Sequence, residues 1–496
     1  MIRHIRIPVA VLFCALTLAG CASGVLQRGG QPPNVVESGA ITARDSTVSV
    51  AQERAIGRRA HPFLVSAYGG EYRDSRVSGL IQSIVNRLES QTDAPGFRYR
   101  VTILNSPSVN AFALPGGYIY VTRGLLAIAN TEAELAAVLA HEMAHVLARH
   151  AIERERATRL TLAQSRTLAG LVRSAEASEA VLANAQGYLA RFSRQQEFEA
   201  DGIGLKLAAS ADYDPMASVA VISSMAAQNA IQAERFFAGS ASDQADFLSS
   251  HPAPPDRIAA IIRESQGLAA EEGEFARGAD RESYIRAIDG LLYDDDAREG
   301  FVRGRTFVHP GLRITFTAPS GYRIDNQPEA VNAVSRNGNL IRFDGETISA
   351  GDSLDDYLNQ VWSDGVRVSD RRMFEIDGMP AITARASARG WDFRLVAVRW
   401  SRERVFRMLF ATRNYSVSAD NAFLESAQTM RRLSADEAAQ IRPLRVRAYQ
   451  TRAGDTIAAL ARTLPFDDKQ QQRFRVLNGL GDNARLSPGT WVKIVR

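Results

Sequence analysis

Two histidines four residues apart, His141 and His145, with Glu142 between them constrain this chain more than any other feature. Apolar residues around them recur at intervals of three and four, and Thr131 with Glu134 forms a capping-box pattern, so a buried helix is predicted here. Positions i and i+4 lie about 40° apart on a helix, which allows both imidazoles to reach one metal ion. Glu142, about 100° from His141, would flank that ion without binding it.

A second acidic group follows a long stretch of helix-forming residues. Glu197 and Asp201 are four residues apart and are predicted to share one helix face. A catalytic zinc ion takes three protein ligands, and a ligating imidazole usually donates its other N–H to a carboxylate. Glu197 is therefore predicted as the third ligand beside His141 and His145, and Asp201 as the partner of a ligating imidazole. The alternative interpretation is a solvated acidic helix end.

Together with the segment Val109–Gly117, these motifs resemble the gluzincin family that includes HtpX, the CAAX prenyl proteases and the BepA-type periplasmic proteases. The resemblance covers roughly residues 50–265. It implies a peptidase with one Zn²⁺ per chain, held by the two motif histidines and Glu197. It also implies that Glu142 is the general base, which accepts a proton from a zinc-activated water molecule and returns it to the leaving amine.

The segment Ser250-His251-Pro252, followed by Arg257, resembles a further element of the same family. The resemblance implies that His251 and Arg257 are catalytic residues that contact the substrate or the developing oxyanion. His150 lies about 180° from His141 on a continuous helix. It is therefore predicted to be a buried or salt-bridged partner and not a fourth ligand.

A short edge strand is predicted in front of the turn at residues 115–117. An extended substrate peptide could pair with its backbone, which gives affinity with little sequence selectivity. The alternative is that this segment is simply a hairpin of the domain, and the two interpretations are compatible. The residues predicted to bind substrate are Asn110, Ala111, Phe112 and Ala113.

The chain begins with basic residues and an apolar run, Ile7–Ala19, that is shorter than the roughly 20 residues of a membrane span. This pattern is typical of a secretory signal. Leu18–Cys21 then resembles a bacterial lipobox, which implies cleavage before Cys21 and lipidation of that residue. By family analogy, Ala22 after the lipidated residue indicates the periplasmic face of the outer membrane. The alternative is an ordinary signal peptide with a coincidental cysteine.

The carboxyl-terminal motifs at residues 449–457, 477–480 and 486–492 resemble a LysM module. The resemblance implies a βααβ unit that binds N-acetylglucosamine polymers such as peptidoglycan; a spacer or protein-docking role is the alternative. Between residues 441 and 496 there are 11 basic and 4 acidic residues, a net charge of +7 that suits an anionic cell-wall polymer. Because a LysM module has its own core, its removal is expected to leave the zinc site intact.

Length and charge set the remaining expectations. The 496 residues predict about three domains, and the whole-chain net charge of +4 gives no argument for nucleic-acid binding. In the region of unknown role, a hairpin is predicted at residues 393–412 and helices at 353–362 and 419–432. The predicted boundaries are a signal peptide (1–20), a lipidated tether (21–45), a zinc metalloprotease domain (46–270), a linker (271–302), an α+β domain of unknown role (303–437) and a LysM domain (441–496).

The expected fold class is thus multidomain α+β, with a mainly helical zincin-type domain that contains a small β-sheet. The expected function is a zinc endopeptidase that acts on misfolded or unassembled envelope proteins while anchored by lipid and tethered to peptidoglycan. Two alternatives stay open. One is a chaperone or assembly factor for outer-membrane proteins with a largely latent metal site, and the other is an enzyme that remodels the cell wall.

Overall fold

The structure is a computed structural model that describes residues 41–94, 96–171, 175–235, 247–273, 275, 280–362, 366–466 and 468–496. Cys21, the predicted signal peptide and most of the predicted tether lie outside the described residues. Within the described part, no helix combines the length and apolar character needed to cross a membrane.

The amino-terminal half is mainly helical and contains a small sheet, as predicted. Its helices are α1 (Val50–Ala67), α2 (Ser75–Glu89), α3 (Arg123–Ile128), α4 (Glu132–Leu147), α5 (His150–Leu171), α6 (Ala175–Ser210), α7 (Ala217–Arg235), α8 (Phe247–Ser250), α9 (Pro255–Glu272) and α10 (Arg281–Ala287). Its strands are β1 (Ile41–Thr42), β2 (Thr92–Asp93), β3 (Arg100–Leu104), β4 (Ala111–Leu114) and β5 (Tyr118–Thr122).

Helix α4 carries the paired-histidine motif and lies at the centre of the core. Every residue from Ala133 to Leu147 is buried, and helices α2, α5, α6 and α7 pack against it. The Thr131 hydroxyl accepts a hydrogen bond from the backbone N–H of Glu134 (3.2 Å). The Glu134 carboxylate in turn accepts from the backbone N–H of Asn130 (2.9 Å), one residue earlier than in a standard capping box. The motif is thereby held on a rigid, fully packed helix.

Helix α4 ends at Leu147, and a new helix, α5, begins at His150. Between them Arg149 adopts a left-handed conformation (φ 56°), which interrupts the helical repeat. The Arg149 guanidinium donates to the carbonyl of Val48 (3.0 Å) and lies 3.3 Å from Glu53, so the tertiary structure holds this break in place. The angle of about 180° between His141 and His150 assumed one continuous helix, and this break means that it does not apply.

The small sheet has the order β3-β5-β4, with β3 parallel and β4 antiparallel to β5. Strands β4 and β5 form a hairpin whose turn spans residues 115–117. A Cβ atom at Gly117 would lie 2.3 Å from the carbonyl oxygen of Arg98, so this position requires glycine. Strand β4 is at the edge of the sheet, as predicted, and contacts α4.

The stretch predicted as a linker, residues 271–302, contains ordered and packed elements. It includes α10, strand β6 (Leu292–Tyr293) and the start of strand β7 (Phe301–Arg303). Tyr284 and Ile288 are buried in the same core as α4. The Tyr284 hydroxyl donates to the carbonyl of Leu126 at 2.8 Å. The acidic composition that suggested a linker includes buried residues, since Asp295 accepts a hydrogen bond from the backbone N–H of Val302 (2.7 Å).

The next region is mainly β. Its further strands are β8 (Thr306–His309), β9 (Ile314–Thr317), β10 (Tyr322–Asn326), β11 (Val331–Ser335), β12 (Leu340–Thr347), β13 (Val368–Ile376), β14 (Met379–Ala388), β15 (Trp391–Ser401), β16 (Arg404–Thr412) and β17 (Arg431–Arg432). The described strands form one sheet of order β10-β11-β12-β16-β15-β14-β13 and one of order β17-β9-β8-β7. Helices are α11 (Leu354–Asp356), continued by a π-helix (Tyr357–Trp362), α12 (Val417–Gln428) and α13 (Ala435–Gln440). The predicted hairpin is confirmed. The helix predicted at residues 353–362 is present as α11 and the π-helix, whereas the helix predicted at 419–432 ends at Gln428 and is followed by strand β17.

The carboxyl-terminal residues form a β-α-α-β unit, which we call the βααβ unit. Its elements are β18 (Leu444–Gln450), α14 (Ile457–Ala461), α15 (Gln470–Leu477) and β19 (Trp491–Val495). Strands β18 and β19 are antiparallel, and β18 also pairs with β6. The unit has a core of its own, but Val446 of β18 is buried in the core around α4.

A buried lysine joins the βααβ unit to helix α3. The Lys493 ammonium is inaccessible to solvent and donates to the carbonyls of Ala127 (2.6 Å), Ile128 (3.3 Å) and Ala129 (2.6 Å). These carbonyls belong to the carboxyl end of α3, where the helix dipole favours a cation. Arg281, the first residue of α10, also donates to the carbonyl of Trp491 (2.9 Å). The βααβ unit is therefore docked on the helical half by specific polar contacts.

Candidate metal centre

Helices α4 and α6 bring His141 and His145 together with Glu197, which follows His145 by 52 positions in the sequence. The two Nε2 atoms are 3.1 Å apart, and the Glu197 carboxylate oxygens lie 3.5 Å from Nε2 of His141 and 3.6 Å from Nε2 of His145. Ligands of a tetrahedral zinc ion at about 2.0–2.1 Å are separated from each other by roughly 3.3 Å. The three side chains thus already have the mutual spacing of zinc ligands.

Hydrogen bonding at the outer nitrogen prepares His141 for ligation. Its Nδ1 lies 3.1 Å from a carboxylate oxygen of Asp201, which can only accept, so Nδ1 carries the proton. In the neutral ring, the lone pair of Nε2 then faces Glu197 and His145. Burial opposes protonation of His141, but hydrogen bonds to Asp201 and Glu197 outweigh it and raise the pKa of this imidazole to about 9. The site therefore strongly favours a positive charge at this point.

The charges around the site fit a divalent cation. Three buried carboxylates, Glu142, Glu197 and Asp201, lie around the two ligating imidazoles, and the buried guanidinium of Arg257 pairs with Glu197 and Asp201. One Glu197 oxygen, Oε1, is buried and accepts no hydrogen bond within the described structure. Buried charge is costly unless it is paired or binds a metal. The residues present therefore fit a zinc ion, and zinc is borderline-soft enough to accept nitrogen and oxygen together.

Glu142 flanks the ligands without joining them. Its side chain is 1% exposed. Among the described residues, one of its carboxylate oxygens finds no hydrogen-bond donor, and Glu142 does not belong to the group that could hold a metal. Burial raises the pKa of this carboxyl above its usual range. A raised pKa makes the carboxylate a stronger base near neutral pH, which is what a general base needs.

Comparison with known proteins agrees with this geometry. The sequence profile of "Peptidase family M48" matches residues 75–265. The zinc ligands, Glu142 and Asp201 all lie inside this range. Residues 75–265 form a family M48 peptidase domain. The predictions of a metallopeptidase and of one zinc ion bound by His141, His145 and Glu197 are thereby confirmed.

Individual relatives cover less than the whole chain. A protein named "Mitochondrial metalloendopeptidase OMA1" from Schizosaccharomyces pombe is 32% identical over 221 residues, which are 44% of this chain and 62% of that protein. The protein of the same name from Saccharomyces cerevisiae is 36% identical over 170 residues, 33% of this chain and 46% of the other. "Beta-barrel assembly-enhancing protease" from Escherichia coli (strain K12) is 27% identical over 267 residues, 51% of this chain and 50% of the other. This chain thus spans less than two thirds of each relative.

Arg257 is buried and bonds to residues of the site, and its predicted contact with substrate stays a prediction. Its side chain, from α9 of the M48 domain, is 1% exposed. It binds both oxygens of Asp201 (2.6 and 2.8 Å) and lies 3.1 Å from Glu197. It also donates to the backbone carbonyl of His251 (3.1 Å). These charge-assisted contacts allow Arg257 to position Asp201 and Glu197.

His251 lies within the metal cluster. Its Nδ1 is 3.0 Å from Glu197 and 3.3 Å from Nε2 of His141, and its Nε2 is 3.5 Å from Glu142. The ring stacks on Phe247 with a centroid distance of 4.7 Å. All four potential ligand groups, His141, His145, Glu197 and His251, have donor atoms within 4.8 Å of one another. His251 therefore lies close enough to act as a fourth metal ligand. Its contact with substrate stays a prediction.

The predicted substrate strand lies beside the catalytic helix. Phe112, Ala113 and the next residue, Leu114, line a cavity of about 170 Å³ that is also lined by Glu142 and His145. Asn110 and Ala111 are buried at the start of the strand. The backbone N–H and carbonyl of Asn110 are already bonded to Thr122. The part of the strand available to a peptide is therefore its later half.

Two residues near the zinc ligands were not assigned from the sequence. Glu199, between the ligand Glu197 and Asp201, pairs with His150 at 3.3 Å. A visible signal existed, since three acidic residues alternate here, but only two of them share the helix face toward α4. Phe247 carried no signal, because an isolated phenylalanine is ordinarily a core residue.

Proposed function

We propose that this protein is a zinc-dependent endopeptidase of unfolded or unassembled envelope proteins. The observation that supports this most strongly is the convergence of His141, His145 and Glu197 with the buried, non-ligating Glu142. A zinc ion at this centre would supply Lewis acidity to a water molecule and to a peptide carbonyl. Glu142 takes the proton of the attacking water and returns it to the leaving amine. Asp201 keeps His141 oriented throughout.

The strand beside the cavity supports the proposed substrate class. Strand β4 is an edge strand, so an extended peptide can pair with its backbone in front of Glu142. Folded proteins rarely offer an extended segment, whereas unfolded chains do. The lipobox resemblance at Cys21 and the relative named "Beta-barrel assembly-enhancing protease" support the cell envelope as the location.

We expect zinc-loaded protein to cleave a chemically unfolded test protein much faster than its folded form. Exposed backbone is the feature that β4 recognises, and sequence contributes little. Fragment formation on gels measures the effect, with chelator-treated protein and zinc-restored protein as matched controls. The same preparations are incubated with purified peptidoglycan, from which no soluble fragments are expected. Release of such fragments without protein cleavage would favour the cell-wall enzyme instead.

A second candidate, an assembly factor with a latent site, is favoured by the burial of the centre. His141, Glu142 and His145 are at most 9% exposed, and Nε2 of His251 lies 3.5 Å from the Glu142 carboxylate. If the protein is an assembly factor, the wild type and the Glu142→Gln variant should suppress the aggregation of an unfolded barrel protein equally well. The endopeptidase proposal expects only the wild type to clear the substrate.

We further propose that the βααβ unit binds peptidoglycan. Its element order and its net charge of +7 over residues 441–496, from 11 basic and 4 acidic residues, support this. Co-sedimentation of the full chain with purified peptidoglycan tests it. The electrostatic part of the binding should weaken with salt, because the Debye length falls from about 10 Å at 0.1 M to about 3 Å at 1 M.

Lipidation of Cys21 gives the next expected result. Cys21→Ser should abolish incorporation of labelled palmitate and release the protein from the membrane fraction, because stable anchoring needs more than one acyl chain. Cys14→Ser, within the predicted signal peptide, is the matched control and should label like wild type. If Cys21→Ser still labels and fractionates like wild type, the anchor lies elsewhere.

A further inference from the structure

His150 lies directly behind the zinc ligand His145. The Nδ1 atoms of the two rings are 2.8 Å apart, and the rings meet edge to face at 73°. The other nitrogen of His150, Nε2, lies 3.3 Å from the carboxylate of Glu199. His150 is 1% exposed. The break between α4 and α5 creates this contact, because five residues along a continuous helix would place the two rings about 140° apart.

Metal ligation by His145 allows only one arrangement of protons along the hydrogen-bonded series His145–His150–Glu199. If Nε2 of His145 gives its lone pair to a metal, its Nδ1 must carry the proton and donate to Nδ1 of His150. The Nδ1 of His150 is then an acceptor, so its Nε2 carries the proton and donates to Glu199, which can only accept. Each nitrogen and the carboxylate are satisfied by this single arrangement.

We propose that His150 and Glu199 are positioning residues that fix the tautomer and orientation of His145. Asp201 does the same for His141 directly, at 3.1 Å. The two zinc-binding imidazoles would thus each be backed by a carboxylate, one by direct contact and one through a second imidazole. The positioning role of His150 and Glu199 goes beyond the ligand set. Its effect on catalysis rests on the proposed zinc-dependent activity, but its test measures metal affinity and does not depend on that activity.

Arg44, in the segment before α1, holds Glu199 at the far end of this hydrogen-bonded series. The Arg44 side chain pairs with Glu199, and the Arg44 backbone N–H donates to the carbonyl of Leu147 (2.9 Å), the last residue of α4. Arg44 thereby keeps Glu199 beside His150 and satisfies a carbonyl at the end of the zinc-binding helix. Because the Arg44 side chain is 42% exposed, its contribution should be smaller than that of His150.

The test replaces the His150 imidazole by one side chain that cannot form the hydrogen bonds and by another that can. His150→Phe keeps a planar ring but removes the acceptor, and it should lower zinc affinity about 10- to 100-fold in a competition titration against a chromophoric chelator. His150→Gln offers a carbonyl acceptor and an N–H donor, so it should restore much of the affinity. His309→Phe, in the β-rich region, is the matched control and should bind zinc like wild type.

Two results would overturn the proposal. One is wild-type zinc affinity in a folded His150→Phe protein. The other is an equal loss of affinity in His150→Phe and His150→Gln together with an equal loss of thermal stability in the zinc-free proteins, which would indicate a packing role. If the affinities follow the expected order but even wild type cleaves no protein, the positioning role stands and the proposed endopeptidase function fails.

Discussion

Glu142→Gln is expected to lower peptide-bond cleavage by roughly 100- to 10,000-fold while zinc content stays at one ion per chain. The amide has nearly the same shape as the carboxylate but cannot accept the proton of the attacking water. Glu142 is buried and lies outside the group of possible metal ligands, so the fold and the metal should both survive. Metal analysis of the purified protein and cleavage of an unfolded substrate measure the two effects separately.

His141→Ala and Glu197→Ala provide the contrast, because each removes a ligand and should lose metal and activity together. Glu155→Gln, on the exposed surface of α5, is the control for an amide introduced elsewhere and should behave like wild type. Undiminished cleavage by a folded Glu142→Gln protein would contradict the assignment of Glu142 as the base.

Removal of the βααβ unit is expected to destabilise the M48 domain, contrary to the expectation that such a module is autonomous. Truncation at residue 440 would remove Val446 from the core around α4, unpair β6 and leave the carbonyls at the end of α3 without Lys493. The truncation would also expose the apolar surface that Val446 covers, at a cost of about 25 cal/mol for each Å² of that surface. The truncated protein should unfold at lower temperature and recover poorly.

Lys493→Met isolates the polar contact within the full chain. Its aliphatic side chain retains the volume but donates nothing, so the free energy of unfolding should fall by about 2–5 kcal/mol. The urea midpoint measures this change. Arg485→Met, an exposed cation of the same unit, should leave the midpoint within about 0.5 kcal/mol of wild type. An unchanged midpoint for Lys493→Met would mean that the unit docks without contributing stability.

Much of the zinc centre could be predicted because it depends on short-range periodicity and ligand chemistry. A spacing of four residues aligns His141 with His145 and Glu197 with Asp201 on any α-helix, whatever the rest of the chain does. The hairpin of β15 and β16 is equally local, since alternating apolar residues and a short turn specify it. These features needed no knowledge of distant contacts.

The tertiary structure decided how distant segments use these local elements. The direction of Arg257 depends on Asp201, 56 residues earlier, because the guanidinium binds both oxygens of that carboxylate and lies 3.1 Å from Glu197. The position of His150 depends on a left-handed Arg149 held by Val48, about 100 residues away in sequence. No helical periodicity can predict such a break, because its cause lies outside the helix.

The sequence by itself determined which residues can bind zinc and which carboxylate can act as base, because helix geometry and ligand chemistry are local. Only the tertiary structure decided that the βααβ unit is joined to the peptidase domain. Its motifs predict a self-contained module, yet the buried Lys493 finds its acceptors 364 to 366 residues earlier in the chain. The cost of burying an unpaired ammonium makes that distant contact a requirement of the fold.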